Sequence, residues 1–306
     1  MSLIKKPAEI QPKTNCFVLL YGQPSAGKTT LACGAKDAVL LDFDGGVTRI
    51  NVAHQIDTLQ VQHWEDVTLA MPELAPYATI VVDTIGKMNT CVEAYIKRTS
   101  PNMVQRDGSL SLKGYGMRKK IFNDFQSALT SMGKNLIYIA HESEDRSGDQ
   151  VCKRPLMGGK HSESILGDLD LVGYCQFIGN KRTLTFSACE SYYAKDCCNF
   201  PPMVEIPQCV DEVGNASDNN FMETIFDKFR ESQSKRLVMA KECNALVDSW
   251  KERIESATDA ESINALLPEY REIAHVGDSK VRIGTALNNK AKALGLTFDK
   301  KGGLYV

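Results

Sequence analysis

Eight consecutive residues constrain this chain more than any others: Gly22-Gln23-Pro24-Ser25-Ala26-Gly27-Lys28-Thr29. They fit the pattern G-x-x-x-x-G-K-[ST], whose glycines let the backbone turn tightly enough for successive N–H groups to face one anion. The apolar run Cys16-Phe17-Val18-Leu19-Leu20-Tyr21 before them reads as a buried strand. The stretch from about Gly27 to Lys36 reads as a helix whose N-terminal dipole adds to the same positive field. Lys28 brings a positive charge to terminal phosphates, Thr29 brings a hydroxyl that can ligate Mg2+, and Thr30 follows in the same turn. Strand, phosphate loop and helix in that order predict an α/β sheet that binds ATP at its carboxyl edge.

Further short apolar runs extend that sheet. Val39-Leu40-Leu41 leading to Asp42-Phe43-Asp44, then Thr79-Ile80-Val81-Val82-Asp83, then Asn135-Leu136-Ile137-Tyr138-Ile139-Ala140 have the both-face-apolar character of central parallel strands. Leu171–Ile178 and Arg182–Cys189 read as later strands, the second alternating enough to be antiparallel. The polar stretch 211–220 reads as a linker, with an ATPase core over 1–210 and a helical region over 221–306. In that last region Leu246, Trp250 and Ile254 share a face, Thr258-Asp259-Ala260-Glu261 reads as a capping box, and Ile283, Leu287, Ala291 and Leu294 form a stripe stopped by Gly295. Such stripes are the core of a small helical bundle rather than a cofactor box.

Composition removes several classes. The chain has no apolar run long enough to cross a membrane, and its first residues, Met1-Ser2-Leu3-Ile4-Lys5-Lys6, lack a signal-peptide core, so a cytoplasmic protein without membrane contact is expected. Ten cysteines contain no C-x-x-C pair and no zinc-spaced partner, which predicts reduced thiols packed as small hydrophobes. A net charge of −2 excludes a chain that is basic throughout. Positive charge is instead local: Lys97 to Lys120 holds seven Lys/Arg against one acid, and Asp278 to the C-terminus six against two.

Three further positions carry candidate chemistry. Asp83 ends its strand after apolar residues, the place for an acid that holds Mg2+ beside Thr29. Hydrolysis needs a carboxylate to orient water, and Asp42 and Asp44 both stand at the end of the second strand. Period-two alternation puts them on one side, with Asp44 nearer the open edge, and Asp44 is the choice. His141 and Glu142 end the fourth strand at the same edge, where His141 can meet the γ-phosphate or its water.

Together these segments resemble the RecA-like ATPases, and within them the phage-encoded single-strand annealing proteins. The resemblance rests on Gly22–Thr29, Asp42-Phe43-Asp44-Gly45-Gly46, the strand to Asp83, Ala140-His141-Glu142, Arg154-Pro155-Leu156-Met157-Gly158-Gly159-Lys160 and Tyr193-Ala194-Lys195-Asp196, spanning residues 14 to 207. It implies a RecA-like P-loop core, a mostly parallel sheet with flanking helices; the small C-terminal helical region read above lies outside it. It also implies a homo-oligomer, with a single-strand-binding protein as a further partner, in the cytoplasm of a bacterial host. Asp44 would be the catalytic carboxylate. The loops at about 100–113 and 143–162 would line a groove for single-stranded DNA. A basic pair spaced two apart would complete a neighbour's ATP site in trans; Lys195 fills its first position, but Cys197 stands at the second. The other reading of the same core is a protein-directed switch, such as a helicase loader or packaging accessory, acting through its helical tail.

Overall fold

The computed structural model describes residues 3–147, 150–158 and 162–306. In chain order its principal elements begin with β1 Phe17–Gly22, α1 Lys28–Cys33, β2 Ala38–Asp42, β3 Thr58–Gln60, α2 Trp64–Ala70, β4 Thr79–Asp83, α3 Ile85–Thr99 and α4 Leu112–Ser131. There follow β5 Asn135–Ser147, β6 Gln150–Pro155, α5 Ser162–Asp168, β7 Leu171–Ile178, β8 Lys181–Thr185 and β9 Val204–Glu205. The last are α6 Phe221–Ser256, α7 Ala260–Glu272, α8 Ser279–Ala293, β10 Phe298–Asp299 and β11 Leu304–Tyr305.

The large sheet runs β3-β2-β4-β5-β1-β7-β8-β9, with β6 paired to β5. From β3 to β7 every neighbour is parallel, and β8 and β9 add an antiparallel edge. Strand alternation divides the core into two layers. Leu19, Tyr21, Leu41, Val82 and Tyr138 face α2, α3 and α4. Val18, Leu20, Leu40, Val81 and Ile139 face α1 and the start of α6, where Met222, Ile225, Phe226 and Phe229 are buried.

The residues divide into two compact units, Lys13–Arg230 and, separately, Met1–Pro12 with Glu231–Val306. The division therefore falls inside α6 rather than at 211–220. The stretch expected as a linker is instead a closed turn: Asp211 accepts from the backbone N–H groups of Val213 and Asn215, and Asn219 Nδ2 donates to the Thr30 carbonyl at 2.5 Å. Short polar side chains that satisfy their own backbone make such a turn ordered.

The C-terminal unit has its own core of Val247, Trp250, Ile254, Ile263, Leu267, Ile283, Leu287 and Tyr305. The expected capping box is shifted by one residue. Asp259 is the N-cap of α7 and accepts from the Ser262 N–H at 2.8 Å, so Glu261 is not its reciprocal partner. Among the described residues no helix is long and apolar enough to cross a membrane.

Two other expectations change. The helix after the phosphate loop is Lys28–Cys33, shorter than the 27–36 read from sequence. The segment 143–162 is largely an antiparallel ladder, from Glu142↔Pro155 to Ser147↔Gln150, rather than an open loop. Residues 148–149 and 159–161 of that segment, Lys160 among them, lie outside the described residues.

Candidate functional site

The register brings the chemistry to one sheet edge. Gly22 pairs with His141, Asp83 with Ile139, and Asp42 with Asp83, so the ends of β1, β2 and β4 lie side by side, level with Ile139–His141 of β5, which runs on to Ser147 rather than ending at His141 and Glu142. Because β5 runs between β1 and β4, His141 stands between the phosphate loop and the Asp83 strand. Ligands bind in such crevices at the carboxyl ends of parallel strands.

The loop itself requires its glycines. Gly22 has φ 149°, and a Cβ there would collide with the Cys175 carbonyl oxygen. Gly27 has φ 79°, and a Cβ there would meet the Arg182 guanidinium at 2.6 Å. Ser25 also takes a positive φ, 64°. These conformations turn the backbone around a cavity of about 590 Å³.

Lys28 is only 6% exposed, and its Nζ donates to the carbonyls of Gly22 at 2.9 Å and Gln23 at 2.7 Å. Burial holds its ammonium below the usual lysine value, while Cys175 and Asp83 act in the opposite direction. Thr29 Oγ1 donates to Asp83 Oδ2 at 2.7 Å. Burial pushes the Asp83 carboxyl up to about 6; the Thr29 hydroxyl opposes this, and Asp44 and Asp42 add to it.

A cradle of turned backbone, a cation and a hydroxyl–carboxylate pair fit a triphosphate with Mg2+. Thr29 and Asp83 would hold the metal. Among the described residues no group of three or more His, Cys, Asp or Glu is placed to hold a metal ion.

The two aspartates at the end of β2 have different places. The strand ends at Asp42, so alternation does not continue to Asp44. Asp42 is 2% exposed and accepts from the backbone N–H groups of Asp44 at 3.3 Å, Gly46 at 3.0 Å and Val47 at 3.1 Å. It fixes the turn. Asp44 lines the cavity and pairs with Arg49 at 3.3 Å.

Of the residues read from sequence, Pro24, Ser25, Gly27, Lys28, Thr29, Thr30, Asp44, Asp83 and His141 line this one cavity. Gly22 and Gln23 hold Lys28 from behind, and Ala26 is buried. The imidazole of His141 is held below its usual value by loss of water contact and by Lys28.

Lys195 is not brought to the cavity. Its Nζ donates to the carbonyls of Gly167 at 2.7 Å and Leu169 at 2.5 Å, at the carboxyl end of α5. Two arginines that sequence reading missed, Arg49 and Arg182, line the cavity. Arg49 stands five residues beyond Asp44, within reach of a local reading. Arg182 arrives through a β-hairpin and has no local signal.

Burial also settles part of the basic stretch 97–120. Arg118 is 2% exposed and paired with Glu93, so it faces no external ligand. In the β5–β6 ladder, Lys153 pairs with Glu142 and Glu144, Arg154 with Asp145, and Arg146 with Glu144.

Asp83 also sets an expectation for stability. The usual aspartate value is 3.8 and the folded one about 6, so the folded chain keeps this proton where the unfolded chain has lost it. Stability from this group therefore falls as pH rises from about 4 to 6, by at most about 3 kcal/mol. Asp83→Asn should remove that fall, read as the wild-type-minus-variant difference in urea unfolding without nucleotide or metal. Equal pH dependence in both proteins would contradict it.

No curated protein matches. Among solved structures, the crystal structure of the RadB recombinase matches at 13% identity and a TM-score of 0.32, covering 57% of this chain and 81% of that one. A likeness this distant adds nothing to the strand order. Residues 14–198, more than half the chain, match the AAA_24 family, described as an AAA domain, and the chain belongs to that family.

Proposed function

We propose that this chain is a Mg2+-dependent ATPase of the RecA-like recombination type, which binds single-stranded DNA and promotes annealing or strand exchange. The observation that carries the ATPase reading is the convergence of Lys28, Thr29, Asp83 and Asp44 on one cavity. Lys28 and the loop amides hold the phosphates, and Asp44 orients the attacking water and takes its proton. Bound Mg2+ would neutralise phosphate charge at Thr29 and Asp83. His141, in β5 just before the part paired with β6, is suited to respond to the terminal phosphate and pass that state to the β5–β6 ladder.

Support for DNA comes from the cations that the fold leaves exposed. Lys97, Arg106, Lys113 and Lys119 are exposed and make no ion pair among the described residues. They cluster in sequence around the turn between α3 and α4, where the Gln105 N–H donates to the Ser109 carbonyl at 2.8 Å. Such a surface tracks a phosphate backbone without reading bases. Subunits of this kind act as a homo-oligomer, with a single-strand-binding protein as a further partner.

Fluorescence anisotropy with labelled single-stranded DNA tests the DNA reading. Engagement of these four cations predicts that log K falls with log salt with a slope of about −3. Arg106→Glu with Lys113→Glu should weaken binding by more than about tenfold. Absence of binding with and without ATP would remove the recombination reading and leave an ATPase directed at a protein.

A further inference from the structure

Arg182 is a cavity residue that the phosphate-loop pattern does not account for. It is the second residue of β8, just past the turn at Gly179-Asn180. β7 runs parallel to β1, with Gly22 level with Cys175, so the end of the β7–β8 hairpin continues past the start of the phosphate loop. Arg182 pairs with Phe177, two residues beyond that level. Its guanidinium packs on Gly27, where a Cβ would come within 2.6 Å of Nη1. Its Nη2 donates to the Pro207 carbonyl at 3.2 Å, which fixes the side chain at the cavity wall.

Among the described residues no carboxylate pairs with Arg182, whereas Arg49 at the same cavity is paired with Asp44. A guanidinium has five N–H donors, and one bond to a carbonyl leaves most of them for a ligand. Packing against the loop that cradles phosphate makes an anion the fitting partner.

We propose that Arg182 contacts the phosphate chain of the nucleotide bound to its own subunit, supplying a cation to that site in cis. This rests on the ATPase reading above. In the reaction, a water oxygen bonds to the γ-phosphorus while the bond from that phosphorus to the bridging oxygen breaks. The bond electrons stay on ADP, and the water proton passes to Asp44. Arg182 stabilises the phosphate charge that grows along this path.

The test is full-length Arg182→Gln, which keeps an N–H for the Pro207 carbonyl but loses the charge. Its expected result is a loss of about 10- to 100-fold in kcat/KM for ATP, with the melting temperature retained and partial recovery in Arg182→Lys. Mixing Arg182→Gln with Lys28→Ala subunits should restore nothing, because every subunit with an intact loop then lacks its own arginine. Recovery of turnover on mixing would overturn the cis assignment, and unchanged kcat/KM in Arg182→Gln would overturn the contact itself. Calorimetry of the wild type with Mg-ATP separates the two readings. No binding there sinks the ATPase reading, whereas wild-type binding with an unaffected variant sinks only the role of Arg182.

Discussion

Lys28→Ala lowers ATP turnover by about 100- to 1000-fold, the scale of losing one preorganised charge at developing phosphate charge. The structure explains why the loss falls on function rather than on the fold. The Lys28 ammonium is buried and held by two neutral carbonyls, and burial disfavours its charge. Removing it leaves two carbonyls with one fewer donor, a cost of about 1–2 kcal/mol, but also relieves the burial of a charge. The far-ultraviolet circular dichroism should match wild type while steady-state phosphate release falls to that level. Turnover within a few-fold of wild type would show that the cavity is not where ATP reacts.

Asp44→Asn retains nucleotide affinity and loses turnover by about 100- to 10,000-fold, the range for removing a general base. The paired control is Asp42→Ala. Asp42 accepts three backbone N–H groups, so its loss releases the turn that presents Asp44 and costs about 1–3 kcal/mol of stability. Binding of a fluorescent ATP analogue, measured beside single-turnover hydrolysis, separates the two effects. Normal hydrolysis in Asp44→Asn would transfer the role of base to another group.

Much of this site was legible because its determinants are local. The phosphate loop is eight adjacent residues, and Asp83 closes a strand of four residues before it. Alternation puts Asp42 and Asp44 on one side and the open edge favours Asp44, but the strand ends at Asp42, so the structure separates the two on different grounds. What could not be read depends on residues far apart in sequence. Arg182 reaches Gly27 only through the β7–β8 hairpin, Lys195 is claimed by the carbonyls that end α5, and Arg118 turns inward from α4 to pair with Glu93 on α3. Charge counted along the chain overstated the basic face for the same reason.

Beneath all of this lies one claim, that the turned loop from Gly22 to Thr29 encloses a nucleotide's phosphates. Isothermal titration calorimetry of the full chain with Mg2+ and a non-hydrolysable ATP analogue measures that directly. Saturable binding of one nucleotide per chain, lost in Lys28→Ala, is the expected result. No heat of binding from a folded wild-type protein, or equal binding by Lys28→Ala, would contradict it.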